Sequence, residues 1–348
     1  MKASFVSSSA ISEAMRYSLM KTQADLVKAQ KENATGFVAD KGLALGVRTA
    51  QSVTFNREFE RIKGIIDSNA LAATRLSATQ EALDHLAAGG QAFLATLTTA
   101  RSGALQDNVL RGGAEDLLES LIGALNTSVN GEYIFAGINT DVKPIDDFFQ
   151  AGSAAKTAYD DAYARYLSDT GADPANPFPT AADMDLFSGT YLEPLFMGAG
   201  WSDWSSASDQ AITSRISLNE TNETSVSANH SGVRKMAMAA TMISQLLSDT
   251  LADDARAALV DKAMSLVASS LTDLTDLRSQ TGIAQKRLSD ATDRLGQQSD
   301  LMERQILSLE GVDPYEAATR VSELMSHVET AYSLTARIQQ LSLLRFLS

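Results

Sequence analysis

The stretch from Phe55 to Leu97, FNREFERIKGIIDSNALAATRLSATQEALDHLAAGGQAFLATL, decides the fold. Read at positions 55, 59, 62, 66, 69, 73, 76, 80, 83, 87, 90, 94 and 97, it gives Phe, Phe, Ile, Ile, Asn, Ala, Leu, Gln, Leu, Ala, Gly, Leu and Leu, ten of the thirteen apolar. Steps alternating between four and three residues keep side chains on one side of a helix, and a run this long makes a seam that only a partner helix can cover. At about 1.5 Å per residue it amounts to roughly 60–70 Å of rod. Gly89 and Gly90 interrupt it. Glycine costs a helix interior about 1 kcal/mol, so a bend or a close helix approach is expected there.

The prolines mark how far such helices can extend. Pro144, Pro174, Pro177, Pro179 and Pro194 occupy the middle of the chain, and Pro314 is the sixth. Proline removes an N–H and clashes with the preceding turn, so Met1–Lys143 and Leu195–Asp313 are free to form long helices. Leu110, Ala114, Leu117, Leu118, Leu121, Ile122, Leu125 and Val129 form a wide apolar face, which Asn130-Gly131 is expected to end. Met236, Ala240, Ile243 and Leu247 start a further helix, and Leu274, Leu277, Ile283, Leu288, Leu295, Met302, Ile306 and Leu309 mark a long one. Gly311-Val312-Asp313-Pro314 stops it. Asp313 then reads as the N-cap of a last helix, with Pro314 first in it and Glu316 in a capping-box position.

That last helix is apolar to its final residue. Val321, Leu324, Val328, Ala331, Thr335 and Ile338 step by three and four, and Leu341, Leu344 and Leu347 continue the stripe beside Leu343 and Phe346. Near the other end, Ile11, Met15, Leu19, Leu26 and Ala29 make a narrower apolar face. Terminal helices of this kind need a cover. Either the two complete a core within one molecule, or they form the surface through which copies assemble.

Between the helical parts, Gly131-Glu132-Tyr133-Ile134-Phe135-Ala136-Gly137 reads as a short strand bounded by glycines. From Pro144 to about Gly232 the texture changes: Trp201, Trp204, Tyr159, Tyr163, Tyr166 and Tyr191 all lie here. Ala154–Leu167 could be a helix, while Ala211–Leu218 and Thr224–Val226 have strand-like content. The fold expected is mainly α: an elongated antiparallel helical bundle or coiled-coil rod built from both chain ends, carrying a small inserted α+β or β-rich domain. The boundaries expected are 1–50 for the N-terminal helix and connector, 51–140 for the first half of the rod, 141–232 for the insertion, 233–312 for the second half and 313–348 for the C-terminal helix.

Composition narrows the function classes. The 348 residues carry a net charge of −14 and no cysteine, which excludes disulfides and thiolate chemistry. Residues 1–63 hold ten Lys/Arg and six Asp/Glu, whereas 141–232 hold four and fourteen. That balance speaks against nucleic acid as a partner, since phosphate binding needs a cationic surplus. No window offers the ~20 apolar residues of a membrane span, and Met1–Ser9 lacks the apolar core of a Sec-type signal peptide. With His85, His230 and His327 the only histidines, no metal site or other cofactor is expected.

Catalytic patterns are thin. Ser18-Leu19-Met20-Lys21 and Ser153-Ala154-Ala155-Lys156 match S-x-x-K, but the S-D-N and K-T-G elements that accompany it in penicillin-recognising enzymes are missing. Asp146-Asp147, Asp160-Asp161 and Asp253-Asp254 lack the spacing of a calcium loop. Trp201-Ser202-Asp203-Trp204 could stack on a sugar or form the core of the insertion. The chain is not expected to be an enzyme.

Three stretches carry a family resemblance. Val129–Asp141, with Gly131, Tyr133, Phe135 and Gly137, resembles the glycine-aromatic stretch Y-[LI]-F-[AS]-G-x-x-T of flagellar hook–filament junction proteins. Thr281-Gly282-Ile283-Ala284-Gln285-Lys286-Arg287-Leu288 resembles the start of the C-terminal helical half of the flagellin superfamily, and Asp313–Leu347 its terminal helix. The serine-glycine and aspartate-pair stretch of the family appears here only as Thr35–Gly42. The resemblance implies a structural protein of the bacterial flagellum, either a hook-associated junction protein or a filament flagellin. It would be exported unfolded by the flagellar type III apparatus and located outside the cell. Its partners would be further copies of itself, the neighbouring hook-associated protein, flagellin and, before export, a secretion chaperone; membrane and nucleic acid are not among them. A glycan-binding or glycan-acting surface protein, using the tryptophans, is the alternative of another class.

Overall fold

The structure, a computed structural model, describes residues 8–103 and 105–347, and of residues 8, 9, 11, 12 and 338–347 the backbone alone. In chain order the helices are α1 (Ser8–Thr35), α2 (Lys41–Leu45), α3 (Thr49–Arg101), α4 (Asp107–Leu125), α5 (Ala154–Thr170), α6 (Ala181–Leu186), α7 (Glu193–Met197), α8 (Ser231–Leu246), α9 (Asp253–Glu310) and α10 (Pro314–Leu347). Two antiparallel hairpins supply the sheet: β1 (Ser128–Val129) with β2 (Glu132–Tyr133), and β3 (Thr213–Arg215) with β4 (Thr221–Glu223). The fold is mainly α, as the apolar spacing predicts. It divides into two compact units, Met1–Gly64 with Leu295–Ser348, and Ile65–Arg294.

In the first unit α1 packs antiparallel on α10. Gln23 Nε2 donates to the Tyr332 hydroxyl at 2.6 Å, and Arg320 reaches Glu32 at 3.3 Å. Asp313 caps α10 as expected, its Oδ1 accepting from the Tyr315 N–H at 2.8 Å. Glu316 does not return the bond. Its carboxylate pairs with Arg320 one turn on, at 2.8 Å, which satisfies the charge more fully than a backbone N–H would.

The second unit holds the core. α3 buries Asn69, Leu76, Leu83, Gly90 and Leu97, one of the two rows read from the sequence. In the other row Ala87 is buried as read, but the rest is displaced by one residue: Ala72, Thr79, Leu86, Phe93 and Ala100 are buried, rather than Ala73, Gln80 and Leu94. The order of three-steps and four-steps is reversed. Ala72 and Ala73 are alike, as are Thr79 and Gln80 in polarity, so hydrophobicity alone could not choose; burying the larger Leu86 and Phe93 does. At Gly90 the expected close approach is present. A Cβ there would collide with Met236 Cε of α8 and lie 3.1 Å from Leu271 of α9.

α4 places Leu110, Ala114, Leu117, Leu118, Leu121, Ile122 and Leu125 in this core. It stops at Asn126, short of Asn130-Gly131. The latter pair forms the β1–β2 turn instead. Asn130 and Gly131 both have positive φ, 54° and 86°, the requirement of the two-residue turn whose twist matches paired strands. α8 is buried on nearly every side. α9 begins at Asp253, well before the first apolar position read for it, and it exposes Ile283.

Residues 141–232 combine short helices, one hairpin and long irregular segments. α5 matches the expected helix, and α6 passes through a π-helical turn at Phe187–Leu192 into α7. β3 lies within the expected 211–218 strand, but β4 precedes Thr224–Val226. Trp204 stacks on Phe148 with ring centroids 5.0 Å apart, and on Trp201 at 5.8 Å. Both tryptophans are buried. The sugar-stacking reading of Trp201-Ser202-Asp203-Trp204 is thereby overturned: neither ring has a free face.

Candidate functional site

The pairing of α1 with α10 leaves both helices half covered. Met15, Leu19 and Leu26 of α1 and Val321, Leu324 and Val328 of α10 are only half-buried in their seam, and only the small Ala29 and Ala317 are closed off. The side chains of Ile11, Ile338, Leu341, Leu344 and Leu347 lie outside the described residues. At 100° per residue, Tyr17, Met20 and Val27 point almost opposite to that seam, and they are 70%, 62% and 64% exposed. On α10, Met325 and Tyr332 form an exposed row flanking the seam. The pair thus leaves apolar side chains uncovered on both helices.

A clamp joins this pair to the rest of its unit. Phe37 and Gly311 form an antiparallel bridge in which the Val38 N–H donates to the Glu310 carbonyl at 2.8 Å and the Val312 N–H to the Gly36 carbonyl at 2.9 Å. Gly311 is required, because a Cβ would strike the Leu307 carbonyl oxygen. Beside the bridge, the Glu310 side chain is 1% exposed and receives three donors: Lys41 Nζ at 2.5 Å, Asn56 Nδ2 at 2.8 Å and the Ser52 hydroxyl. Burial by itself would raise the Glu310 carboxyl; the hydrogen bonds from Lys41, Ser52 and Asn56, with the Lys41 charge, outweigh it and hold the group below its ordinary range. Sequence reading missed this cluster. Its one signal is a glutamate four residues beyond the buried Ile306, on the same side of α9.

The glycine-aromatic motif has a different job. Phe135 is fully buried, and its carbonyl accepts from the Ala228 N–H at 2.8 Å; the Ala136 carbonyl accepts from Ser208 at 3.0 Å. Tyr133 N–H donates to Thr140 at 2.8 Å. At Gly137 φ is 63°, and a Cβ would strike the Ser208 carbonyl and lie 2.8 Å from that of Gln210. Arg75 of α3 pairs with Glu132 beside the Gly131 turn. The motif knits three separate segments of the second unit together and presents no reactive group.

The remaining patterns resolve into structure. The Ser153 hydroxyl caps α5 by accepting from the Lys156 N–H, and Lys156 pairs with Asp160, so neither is poised for nucleophilic work. Ser18 and Lys21 are exposed on α1. Among the described residues no group of three His, Asp or Glu converges to hold a metal, and no helix is long and apolar enough to cross a membrane.

Comparison with known proteins finds matches toward both ends of the chain. Residues 6–140 match the bacterial flagellin N-terminal helical region, and residues 264–347 match the bacterial flagellin C-terminal helical region. Among solved structures, one described as a flagellar hook-associated protein from Vibrio parahaemolyticus is similar, with a TM-score of 0.50 and 11% identity, over 75% of this chain and 96% of that one. At that identity the likeness is one of fold. A search of curated proteins returned no match.

Proposed function

Because the chain belongs to the flagellin family and is a structural component of the flagellum, we propose that it is the hook-associated junction protein joining the hook to the flagellin filament. The observation that carries the reading is the half-covered α1–α10 pair, whose outward apolar rows at Tyr17, Met20 and Val27 and at Met325 and Tyr332 need neighbours. Further copies of the chain would supply the lateral cover, with the adjoining hook-associated protein on one side and flagellin on the other. Burial at about 25 cal/mol per Å² over many subunits would drive the assembly. Before export a chaperone would shield the C-terminal helix, whose apolar row would otherwise aggregate. The five-part division at 50, 140, 232 and 312 belongs to the same proposal, with 141–232 facing outward.

The junction assignment over filament flagellin rests on the Val129–Asp141 stretch, and the hook-associated description of the Vibrio structure agrees with it. Deletion of the gene distinguishes the two. A junction protein's loss leaves hooks in place while unpolymerised flagellin is released into the medium; a filament protein's loss leaves filaments altered or missing without that release.

A further inference from the structure

Although Trp201 and Trp204 are sealed, a second aromatic cluster in the same region opens outward. Tyr159 and Tyr163 of α5 and the buried Phe178 line a cleft of about 370 Å³, within the range of roughly 300–1,000 Å³ typical of small-ligand cavities. Tyr159 is 5% exposed, yet its hydroxyl makes no hydrogen bond among the described residues and is not among the polar atoms sealed from solvent. That hydroxyl is therefore the part of the side chain that meets the cleft. Burial, first, and the neighbouring Tyr163 and Asp160 push its pKa upward, so it is a neutral donor at any physiological pH. Tyr163 beside it is half-buried and lines the same cleft.

The opposite wall is preorganised. Gly171 leaves α5 with φ 67°, the Asn176 N–H donates to the Asp173 carbonyl at 2.9 Å, and the Tyr166 hydroxyl donates to the Pro177 carbonyl at 2.9 Å. Phe178 stacks on Tyr166 with centroids 5.2 Å apart. Asn176 is thus held at the rim, with Gln245 in the last turn of α8 and Ser248 just beyond that helix on the third side. Charge excludes several ligand classes. Lys156 is the one cation lining the cleft and is already paired with Asp160, so a phosphate or carboxylate finds no counter-ion. The amide and hydroxyl rim is too polar for a lipid chain.

An aromatic face, an unsatisfied phenol and planar amides around a neutral cavity are complementary to a ring that is apolar on its C–H face and rich in hydroxyls at its edge. We propose that this cleft binds a neutral saccharide, its C–H face on Tyr163 and its hydroxyls on Tyr159, Asn176 and Gln245. The site is separate from the helices through which the protein would assemble, and the proposal does not depend on the junction role.

The test is saturation-transfer NMR on the full chain with glucose, galactose, N-acetylglucosamine, cellobiose, lactose and chitobiose as probes. At least one of them receives transfer, strongest at the C–H protons of one ring face. Tyr163→Ala weakens that binding about tenfold, the scale of a lost stacking contact. Tyr159→Phe, which keeps the ring and the packing, weakens it about threefold. Tyr17→Ala, remote on α1, leaves it unchanged. Silence of all six sugars at high millimolar concentration overturns the proposal, as does binding that survives both cleft variants. Capture of a proline-rich peptide by the same tyrosines in place of any sugar overturns it equally.

Discussion

Lys41 Nζ lies 2.5 Å from a carboxylate oxygen of Glu310 that is almost wholly shielded from water, and the two residues stand at opposite ends of the sequence. The Ser52 hydroxyl and the Asn56 amide complete the shell around that carboxylate. Replacing Glu310 by Ala strands three donors, and with hydrogen bonds to charged groups worth about 1.5–3 kcal/mol each before solvent compensation, a net loss of about 2–3 kcal/mol is expected. Lys41 is half exposed and can rehydrate, which keeps the figure at that level. Hydrogen exchange at the Val38 and Val312 amides, whose bonds form the adjoining bridge, measures it.

Acid opens the same clamp. A carboxyl whose folded pKa is depressed contributes stability above its unfolded value and loses it as the pH falls through the folded one. Glu310 is of this kind. The contribution is complete at pH 7 and is lost below about pH 4, the ordinary glutamate range. Protection of the Val38 amide, corrected for intrinsic exchange, falls across that window in the wild type and shows no step in Glu310→Gln.

Two glycines of the same motif separate conformational strain from collision. Gly131 has φ 86° with open space around it, whereas Gly137 has φ 63° and faces two backbone carbonyls that cannot swing aside. Gly131→Ala costs about 1 kcal/mol, the penalty of a left-handed residue. Gly137→Ala costs upwards of about 3 kcal/mol, because the loop itself must move. Chemical denaturation followed by tryptophan fluorescence, which reports the second unit, ranks the pair; equal losses would contradict the collision.

Gly90→Val sets helix propensity against space. Valine recovers part of the roughly 1 kcal/mol that glycine forfeits in a helix, but its side chain must displace Met236 and Leu271, at about 1–3 kcal/mol of overpacking. A net destabilisation of about 1–2 kcal/mol is expected, relieved when Met236→Ala is added. Additive losses in the double variant would show that the contact is not the cause.

In the isolated chain, amides of α1 and α10 exchange faster than those of α4 and α8 by several orders of magnitude, since only the latter lie in a closed core. In assembled flagella the α1 and α10 amides become protected. Persistent protection in the free monomer would place their cover within one molecule.

Long helices were legible because their seams repeat over dozens of residues, and the Asp313-Pro314 start of α10 because capping is local chemistry. The register of α3 was half legible: Leu76, Leu83 and Leu97 have no rival neighbours, while the Ala72/Ala73 and Thr79/Gln80 choices depend on what packs opposite. Asn130-Gly131 was misread as a helix stop because positive φ serves both a helix end and a hairpin turn, and only the pairing partner decides. The Glu310 clamp could not be read at all. Its members are single polar residues whose meeting is a property of the tertiary fold.

The Gly36–Val38 bridge to Glu310–Val312 sets an order of events. Ser52 waits for a partner 258 positions further along, so this clamp has nothing to lock onto until nearly all of the polypeptide is present. Contacts so distant in sequence form late. The terminal pair thus stays pliable until the segments between its two ends have found their places.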